Sequence, residues 1–240
     1  MIEEPTVRDN AAQSASNICR SSIQCSSFHS QYIAMLNRLS SREWYTARGS
    51  ASVLISNTFD LFSQDEQRSF VSKYEILCKD EAPMVRRLAA KHLGTIITKY
   101  ISGKGLLSLQ DGDALLTTFI PLCEELASNR QPDCVTLQIV QNCIALGEAI
   151  STILEINVEN QTNTNKIFQT KDGRRATLLI GERILPLVIS LVDATSWRIR
   201  WTVASRYTEF VATFSIFTGA LALLMPTFER LLSDVEPEVG

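Results

Sequence analysis

The chain has 240 residues, of which 45% are hydrophobic and 20% charged, and its formal net charge is −3. This is the composition of an ordinary globular protein, without the lysine and arginine excess that nucleic-acid phosphates require. Six cysteines without a Cys-x-x-Cys pair and only two histidines argue against a zinc site or a disulfide framework. We therefore predict no metal, no cofactor, no nucleic-acid partner and reduced cysteines.

Apolar residues recur at helical spacing along the whole chain, which predicts an all-α protein. Val85, Ala89 and Leu93 form one such stripe, and Ile199 and Val203 begin another. The predicted helices lie at 5–20, 28–40, 44–58, 65–78, 83–101, 113–128, 133–153, 176–192, 197–214 and 220–233.

Two polar segments interrupt the helices. Residues 101–112 contain a Gly-Lys-Gly run, which lacks the frame of a phosphate-binding loop. Residues 155–175 carry four asparagines and are predicted to form a polar insertion loop. An Asn-x-Thr sequon at Asn160 matters only in a secreted protein, and the N-terminus predicts no signal peptide. The basic residues before Thr177 resemble a kinase site.

A short motif returns along the chain. Val7, Val85 and Ile199 are each followed directly by an arginine and, four positions on, by a small apolar residue. With weaker copies, the motif positions fall near 7, 46, 85, 135, 199 and 239, which are 39, 39, 50, 64 and 40 residues apart. A period near forty residues in a helical sequence is typical of a helical solenoid, an α-α superhelix.

These motifs also carry a family resemblance. The segments 83–90, 196–201, 7–9 and 42–48 resemble, in order and nearly in spacing, the HEAT repeats of the scaffold (A) subunits of protein phosphatase 2A. The resemblance runs from residue 5 to 239 and implies one HEAT-repeat array over 1–240. About four full repeats are expected, with half a repeat at each end, so that the chain would be a partial scaffold.

The resemblance implies a non-catalytic scaffold that binds a regulatory (B-type) subunit. The family uses its N-terminal repeats for regulatory subunits and its C-terminal repeats for the catalytic subunit. The motifs match the regulatory-subunit half, so the catalytic subunit is expected in the holoenzyme although its binding repeats are absent here. We expect the protein in the cytoplasm, and in the nucleus as a second compartment.

Exposed tryptophan and arginine dominate interface energies, and the turns between paired helices carry several of them. Arg86 and Arg200 are expected to pair with acids of the turns and to be structural, and Trp201 to pack against the next repeat. The predicted partner-binding residues, by resemblance, are Glu43, Trp44, Pro83, Met84, Arg87, Trp197 and Arg198.

Other functions are weighed against this one. A HEAT-repeat adaptor of another pathway, such as a transport receptor or a translation or chromatin adaptor, would share the fold. An enzyme is disfavoured because no nucleophile motif is found and the acid pair Asp80 and Glu81 lies beside arginines. The sixteen uncharged residues 210–225 are shorter than the roughly 20 that cross a bilayer, so a turn near Gly219 is predicted instead of a membrane span.

Overall fold

The structure is a computed structural model that describes residues 5–102, 113–158, 170–217 and 219–239. Within these ranges every regular element is a helix, and the predicted all-α class is confirmed. The chain divides into two compact units, residues 1–103 and 104–240, and each is described by itself. The prediction of one continuous array over 1–240 stays a prediction.

In its described residues the first unit has five α-helices and one short 3-10 helix, Phe59–Leu61. The α-helices are α1 (Pro5–Ser22), α2 (Ser26–Ser40), α3 (Tyr45–Thr58), α4 (Gln64–Cys78) and α5 (Pro83–Ser102). Helix α3 packs against α5, α1 and α2, and α4 packs against α5. Helix α4 begins with a capping box, because Ser63 and Glu66 bond each other's backbone N–H groups. The core contains Leu36, Ile55, Phe59, Phe70, Tyr74 and Leu93.

The second unit continues the pattern of paired helices. Its α-helices are α6 (Ile120–Leu126), α7 (Asp133–Thr136), α8 (Ile139–Val158), α9 (Lys171–Leu179), α10 (Leu185–Val192), α11 (Trp197–Ser205), α12 (Tyr207–Phe214) and α13 (Ala220–Leu232). Helix α8 packs against α6, α10 and α12, and α13 packs against α10 and α12.

Two π-helical turns precede α6 and α10, at Leu115–Phe119 and Ile180–Ile184. Each lies just before a proline, Pro121 or Pro186, in the first turn of the following α-helix. A proline inside a helix has no N–H to donate, and its ring displaces the carbonyl four residues earlier. A local shift to wider hydrogen-bonded turns accommodates this, so both π-helical turns lie where the helix must adjust to its proline.

The polar insertion predicted at 155–175 is shorter than expected at both ends. Residues 155–158 continue α8, and α9 already begins at Lys171. The Thr170 side chain accepts a hydrogen bond from the N–H of Gly173 at 3.0 Å, and this N-cap starts the helix early. Residues 159–169 of the predicted loop, which include Asn160, lie outside the described residues. So do residues 103–112 of the predicted 101–112 connection.

The uncharged segment 210–225 is not one helix. Helix α12 ends at Phe214 and α13 begins at Ala220, and Gly219 between them has φ 83°, a left-handed conformation that glycine adopts without steric cost. The predicted turn is confirmed. By length and composition another segment, Asp133–Leu154, is apolar enough to cross a bilayer. Of its 18-residue apolar window, 67% is buried inside the fold, as expected for core helices of a repeat.

Candidate partner-binding site on the repeat turns

The same backbone hydrogen bond recurs at five of the described turns. The N–H of one residue donates to the carbonyl three positions earlier, which in the first four belongs to the residue just before a helix. The bonds run from Ala47 to Trp44 (3.1 Å), Val85 to Ala82 (3.0 Å), Val135 to Pro132 (2.8 Å), Ile199 to Ser196 (3.1 Å) and Val239 to Glu236 (2.9 Å). The motif position assigned near 46 is therefore Ala47, and Arg48 is the equivalent of Arg86 and Arg200.

Arg48 ties the turn of its own repeat to the turn of the next. Its Nε lies 2.6 Å from Oδ2 of Asp80, and its Nη2 lies 2.9 Å from Oδ1. Its Nη1 donates to the carbonyls of Arg42 and Glu43 at 2.9 and 2.5 Å. Asp80 Oδ1 also accepts from the Ala82 N–H at 2.8 Å. We call this arrangement of arginine, next-turn aspartate and own-turn carbonyls a rung.

The second unit contains a rung of the same geometry. Arg200 Nε and Nη2 donate to Oδ2 and Oδ1 of Asp234 at 2.6 and 2.8 Å. Its Nη1 donates to the carbonyls of Ala194 and Thr195 at 2.9 and 3.1 Å. The hydrogen bonds from Arg200, together with one from the Glu236 N–H, lower the pKa of Asp234 to about 2. The hydrogen bond with Asp234 likewise raises the pKa of Arg200.

These contacts test the structural roles expected of two arginines. Arg200 pairs with a turn acid, as predicted. Arg86 donates to the backbone carbonyls of Asp80 and Glu81 at 2.7 and 3.0 Å, whereas the carboxylate of Asp80 is bound by Arg48 of the preceding repeat. Sequence reasoning missed Arg48 because the motif in that repeat was placed one residue early, which hid the arginine at the rung position.

In the first unit the predicted partner-binding residues lie on two neighbouring turns, which the Arg48 rung joins. Trp44 has 74% of its surface exposed, and Glu43, Pro83, Met84 and Arg87 are also exposed. Arg87 Nη1 lies 3.8 Å from Sδ of Met84, so these two side chains form one continuous surface.

Trp197 and Arg198 lie at the start of α11 in the second unit. The Arg198 guanidinium carbon is 4.9 Å from the centre of the Trp197 ring, within the range of a cation–π interaction. Trp201, expected to pack against another repeat, is 47% exposed. A recess of about 480 Å³ is lined by Leu137, Trp197, Arg198, Trp201, Thr202 and Glu238.

The motif positions near 46, 85 and 199 predict that Trp44, Pro83 and Trp197, each two residues earlier, are equivalent. This prediction is wrong. Pro83 and Trp197 are the first residues of α5 and α11, whereas Trp44 precedes the first residue of α3, which is Tyr45. The cause is again the one-residue shift of the motif in that repeat. Tyr45 is exposed as well, so the turn presents two adjacent aromatic side chains.

The kinase-like motif lies within regular structure. Thr177 lies in the last turn of α9, which continues directly into the π-helical turn Ile180–Ile184, and its hydroxyl donates to the Gly173 carbonyl at 3.0 Å. A kinase that binds its substrate in an extended form would have to unfold this helix. The structure therefore gives no support to Thr177 as a phosphorylation site.

The helix pairs and their rungs define an all-α helical-repeat protein. No family model matches the chain. It is 29% identical over 211 residues to the regulatory (A) subunit of protein phosphatase PP2A from Schizosaccharomyces pombe, covering 86% of this chain and 29% of that protein. It is 37% identical over 93 residues to a probable serine/threonine-protein phosphatase PP2A regulatory subunit of Caenorhabditis elegans, covering 39% of this chain and 16% of that protein.

A third relative is the protein phosphatase 2A scaffold subunit of Dictyostelium discoideum, which is 34% identical over 93 residues, covering 39% of this chain and 16% of that protein. The chain is thus a homologue of the HEAT-repeat regulatory (A) subunits of protein phosphatase 2A, and the resemblance of its motifs to that family is confirmed. It spans less than a third of the length of these relatives. Their names are those of regulatory and scaffold subunits, so the prediction of a non-catalytic protein is confirmed at the level of the family.

Proposed function

We propose that this protein is a non-catalytic scaffold of a protein phosphatase 2A-type holoenzyme and that it binds a B-type regulatory subunit on its turns. The observation that carries the proposal is that the turn arginines are of two kinds. Arg48 and Arg200 form the ion pairs of the rungs. Arg87 and Arg198 are exposed and lie beside Met84 and Trp197.

This arrangement suits a protein interface. The rungs fix the backbone of a turn, so exposed side chains on it are held in place before a partner arrives, which lowers the entropic cost of association. Trp44 and Tyr45 supply large aromatic surfaces, and Arg87 and Arg198 supply charge. Tryptophan, tyrosine and arginine are the residue types that most often dominate binding energy.

The catalytic subunit is the other expected member of the holoenzyme, and we propose that it joins through segments other than the turns described here. The cytoplasm, with the nucleus as a second compartment, is the proposed location. An adaptor of another pathway would use the same fold. The relatives, all named as phosphatase subunits, do not favour that alternative.

Binding assays with purified phosphatase regulatory subunits test the proposal. We expect Arg87→Ala and Arg198→Ala each to weaken binding by about tenfold, which corresponds to about 1.4 kcal/mol, with little change in the thermal unfolding midpoint. Arg68→Ala is the matched control, since Arg68 is an exposed arginine on α4 whose partner is Asp65, away from the turns. We expect it to bind normally.

Two results would count against this function. If binding fell only in proportion to loss of folding, the two arginines would belong to the fold and not to an interface. If regulatory subunits did not bind the unaltered chain, while proteins of a transport or translation pathway did, the adaptor alternative would replace the phosphatase scaffold.

A further inference from the structure

One rung of the second unit lacks both of its side chains. In the two complete rungs the arginine is four residues after the residue whose carbonyl accepts the turn hydrogen bond. Arg48 and Arg200 each bind an aspartate in the next turn. In the repeat that contains Val135 the arginine position is Thr136, and the aspartate position of the following turn is Ala194. The two halves of the ion pair are therefore missing together.

The missing pair leaves a groove between the two turns. It has a volume of about 420 Å³, inside the range of about 300–1,000 Å³ that is usual for binding pockets. Thr136 does not fill it, because this short side chain is buried and its hydroxyl is 3.4 Å from the Leu126 carbonyl. Asn129, Gln131 and Asp133 line one side of the groove, and Ala194, Thr195 and Ser196 line the other.

The surroundings of the groove favour a positive charge. Two acids line it, Glu124 and Asp133, and none of the described residues that line it is a lysine or an arginine. Glu124 is held by Arg183 at 2.5 and 2.7 Å, which leaves Asp133 as the other carboxylate. Helices α6 and α10 end beside the groove and α7 and α11 begin there, so the partial charges of the helix ends oppose one another and the carboxylate of Asp133 favours a cation.

We propose that this groove receives an arginine side chain from an extended segment of a partner protein, which takes the place of the missing rung arginine. The inference rests on the proposed function of the turns as a partner-binding surface. The aspartate of the complete rungs is absent here, but a rung arginine also donates to two backbone carbonyls of a turn, as Arg48 Nη1 does to those of Arg42 and Glu43. Arginine fits better than lysine because its planar guanidinium can donate to such carbonyls and still bond a carboxylate such as that of Asp133.

A short peptide tests the groove without any phosphatase subunit. The probe is a capped pentapeptide with one central arginine among glycines and serines, titrated into the isotope-labelled full chain and followed by amide NMR signals. We expect weak, millimolar binding that moves the signals of Asn129, Gln131, Ala194 and Thr195. The same peptide with citrulline, which has the shape of arginine without its charge, is expected to leave them in place.

Two variants sharpen the test. Ala194→Asp restores the carboxylate that Asp80 and Asp234 provide elsewhere, and is expected to tighten arginine binding by about fivefold, as for a partly exposed ion pair. Thr136→Arg supplies the guanidinium from the chain itself and is expected to abolish peptide binding. Loss of binding in Thr136→Arg could also result from misfolding. Tighter binding by Ala194→Asp could not, so this variant tests the inference independently.

Signals that do not move, or that move equally with citrulline, would overturn the inference, as would Ala194→Asp that fails to tighten binding. This failure is distinguishable from failure of the scaffold function. The scaffold function is tested by the binding of regulatory subunits to the Arg87 and Arg198 variants. It would still hold if the arginine peptide did not bind the groove.

Discussion

Arg48 and Asp80 lie 32 residues apart in the sequence and form a two-bonded ion pair in which 11% and 6% of the side-chain surfaces stay exposed. Arg200 and Asp234, 34 residues apart, repeat the geometry. In both repeats the pair joins one turn to the next by charged side chains, at a place where the apolar stripes of the helices do not reach. The rung is therefore a structural element of the repeat.

Removing one member of the Arg48 rung is expected to be costly. Arg48→Ala leaves the nearly buried carboxylate of Asp80 without its cation. Asp80→Ala leaves the guanidinium with only the exposed carboxylate of Glu81, at 3.4 Å. Each is expected to lower the free energy of unfolding by about 3 kcal/mol, measured by urea denaturation. The double variant is expected to lose little more than either single variant, because the interaction is already gone.

The pair Arg68 and Asp65 provides the control for that cycle. It is an i,i+3 pair on α4 with 72% and 89% of the side chains exposed, and its removal is expected to cost less than about 1 kcal/mol. Additive losses at Arg48 and Asp80, or losses no larger than at Arg68, would show that the rung does not stabilise the fold.

Acid should weaken the Arg200 rung over a defined pH range. The pKa of Asp234 is about 2 in the folded chain and about 3.9 when the carboxyl is unfolded. A lowered folded pKa stabilises the fold above the unfolded value, and this contribution is lost as the pH falls from about 4 towards 2. The stability difference between the native chain and Asp234→Asn is therefore expected to shrink across that range.

Urea denaturation at a series of pH values measures this difference. A difference that stayed constant from pH 5 to about 2 would mean that the folded pKa of Asp234 is not lowered. Asp65→Asn, at an exposed carboxylate, serves as the matched substitution for the effects of removing one negative charge from the surface.

The helices were predictable because their apolar stripes are read directly from the spacing of residues such as Val85 and Ala89. Both are fully buried. Helix bounds in the described ranges agree mostly within two residues for the same reason. The π-helical turns before Pro121 and Pro186 were not predicted, because the sequence shows where a helix must adjust to proline but not whether it kinks, breaks or widens.

The contacts of the turns were less predictable than the helices. Arg48 was missed because Ala47 is a poor copy of the β-branched residue at Val85 and Ile199, and only the backbone bond to Trp44 fixes the frame. The groove at Thr136 is visible in part from the sequence, which has no arginine at this position of the motif. The depth of the groove also depends on Ala194 in the next turn. That Ala194 lies opposite Thr136 is known only from the way the two repeats pack.

His92 is expected to destabilise the first unit in mild acid. Burial lowers the pKa of His92 to about 4, with Lys91 adding to the effect and Asp9 opposing it. The unfolded histidine, with a pKa near 6.5, takes up its proton first. Stability therefore falls as the pH falls from about 6.5 to about 4. In the His92→Gln variant the urea midpoint is expected to depend less on pH in that range. An unchanged dependence on pH would contradict the lowered pKa of His92.

Two helical glycines are expected to respond oppositely to the same substitution. A Cβ at Gly147 of α8 would lie 2.5 Å from Cε1 of Phe214 and 2.5 Å from Cγ2 of Thr213, both on α12. Gly147→Ala should therefore force the two helices apart and lower the free energy of unfolding by about 1–3 kcal/mol. This exceeds the gain of up to about 1 kcal/mol from the better helix propensity of alanine.

Gly181 offers the matched control, because a Cβ there meets no heavy atom within 4 Å. Gly181→Ala is expected to raise the free energy of unfolding by about 0.5–1 kcal/mol, since alanine loses less backbone entropy than glycine on folding. Chemical denaturation of both variants decides the matter. If Gly147→Ala were as stable as Gly181→Ala, the close approach of α8 and α12 would be wrong, and the packing of the second unit around Phe214 would have to be revised.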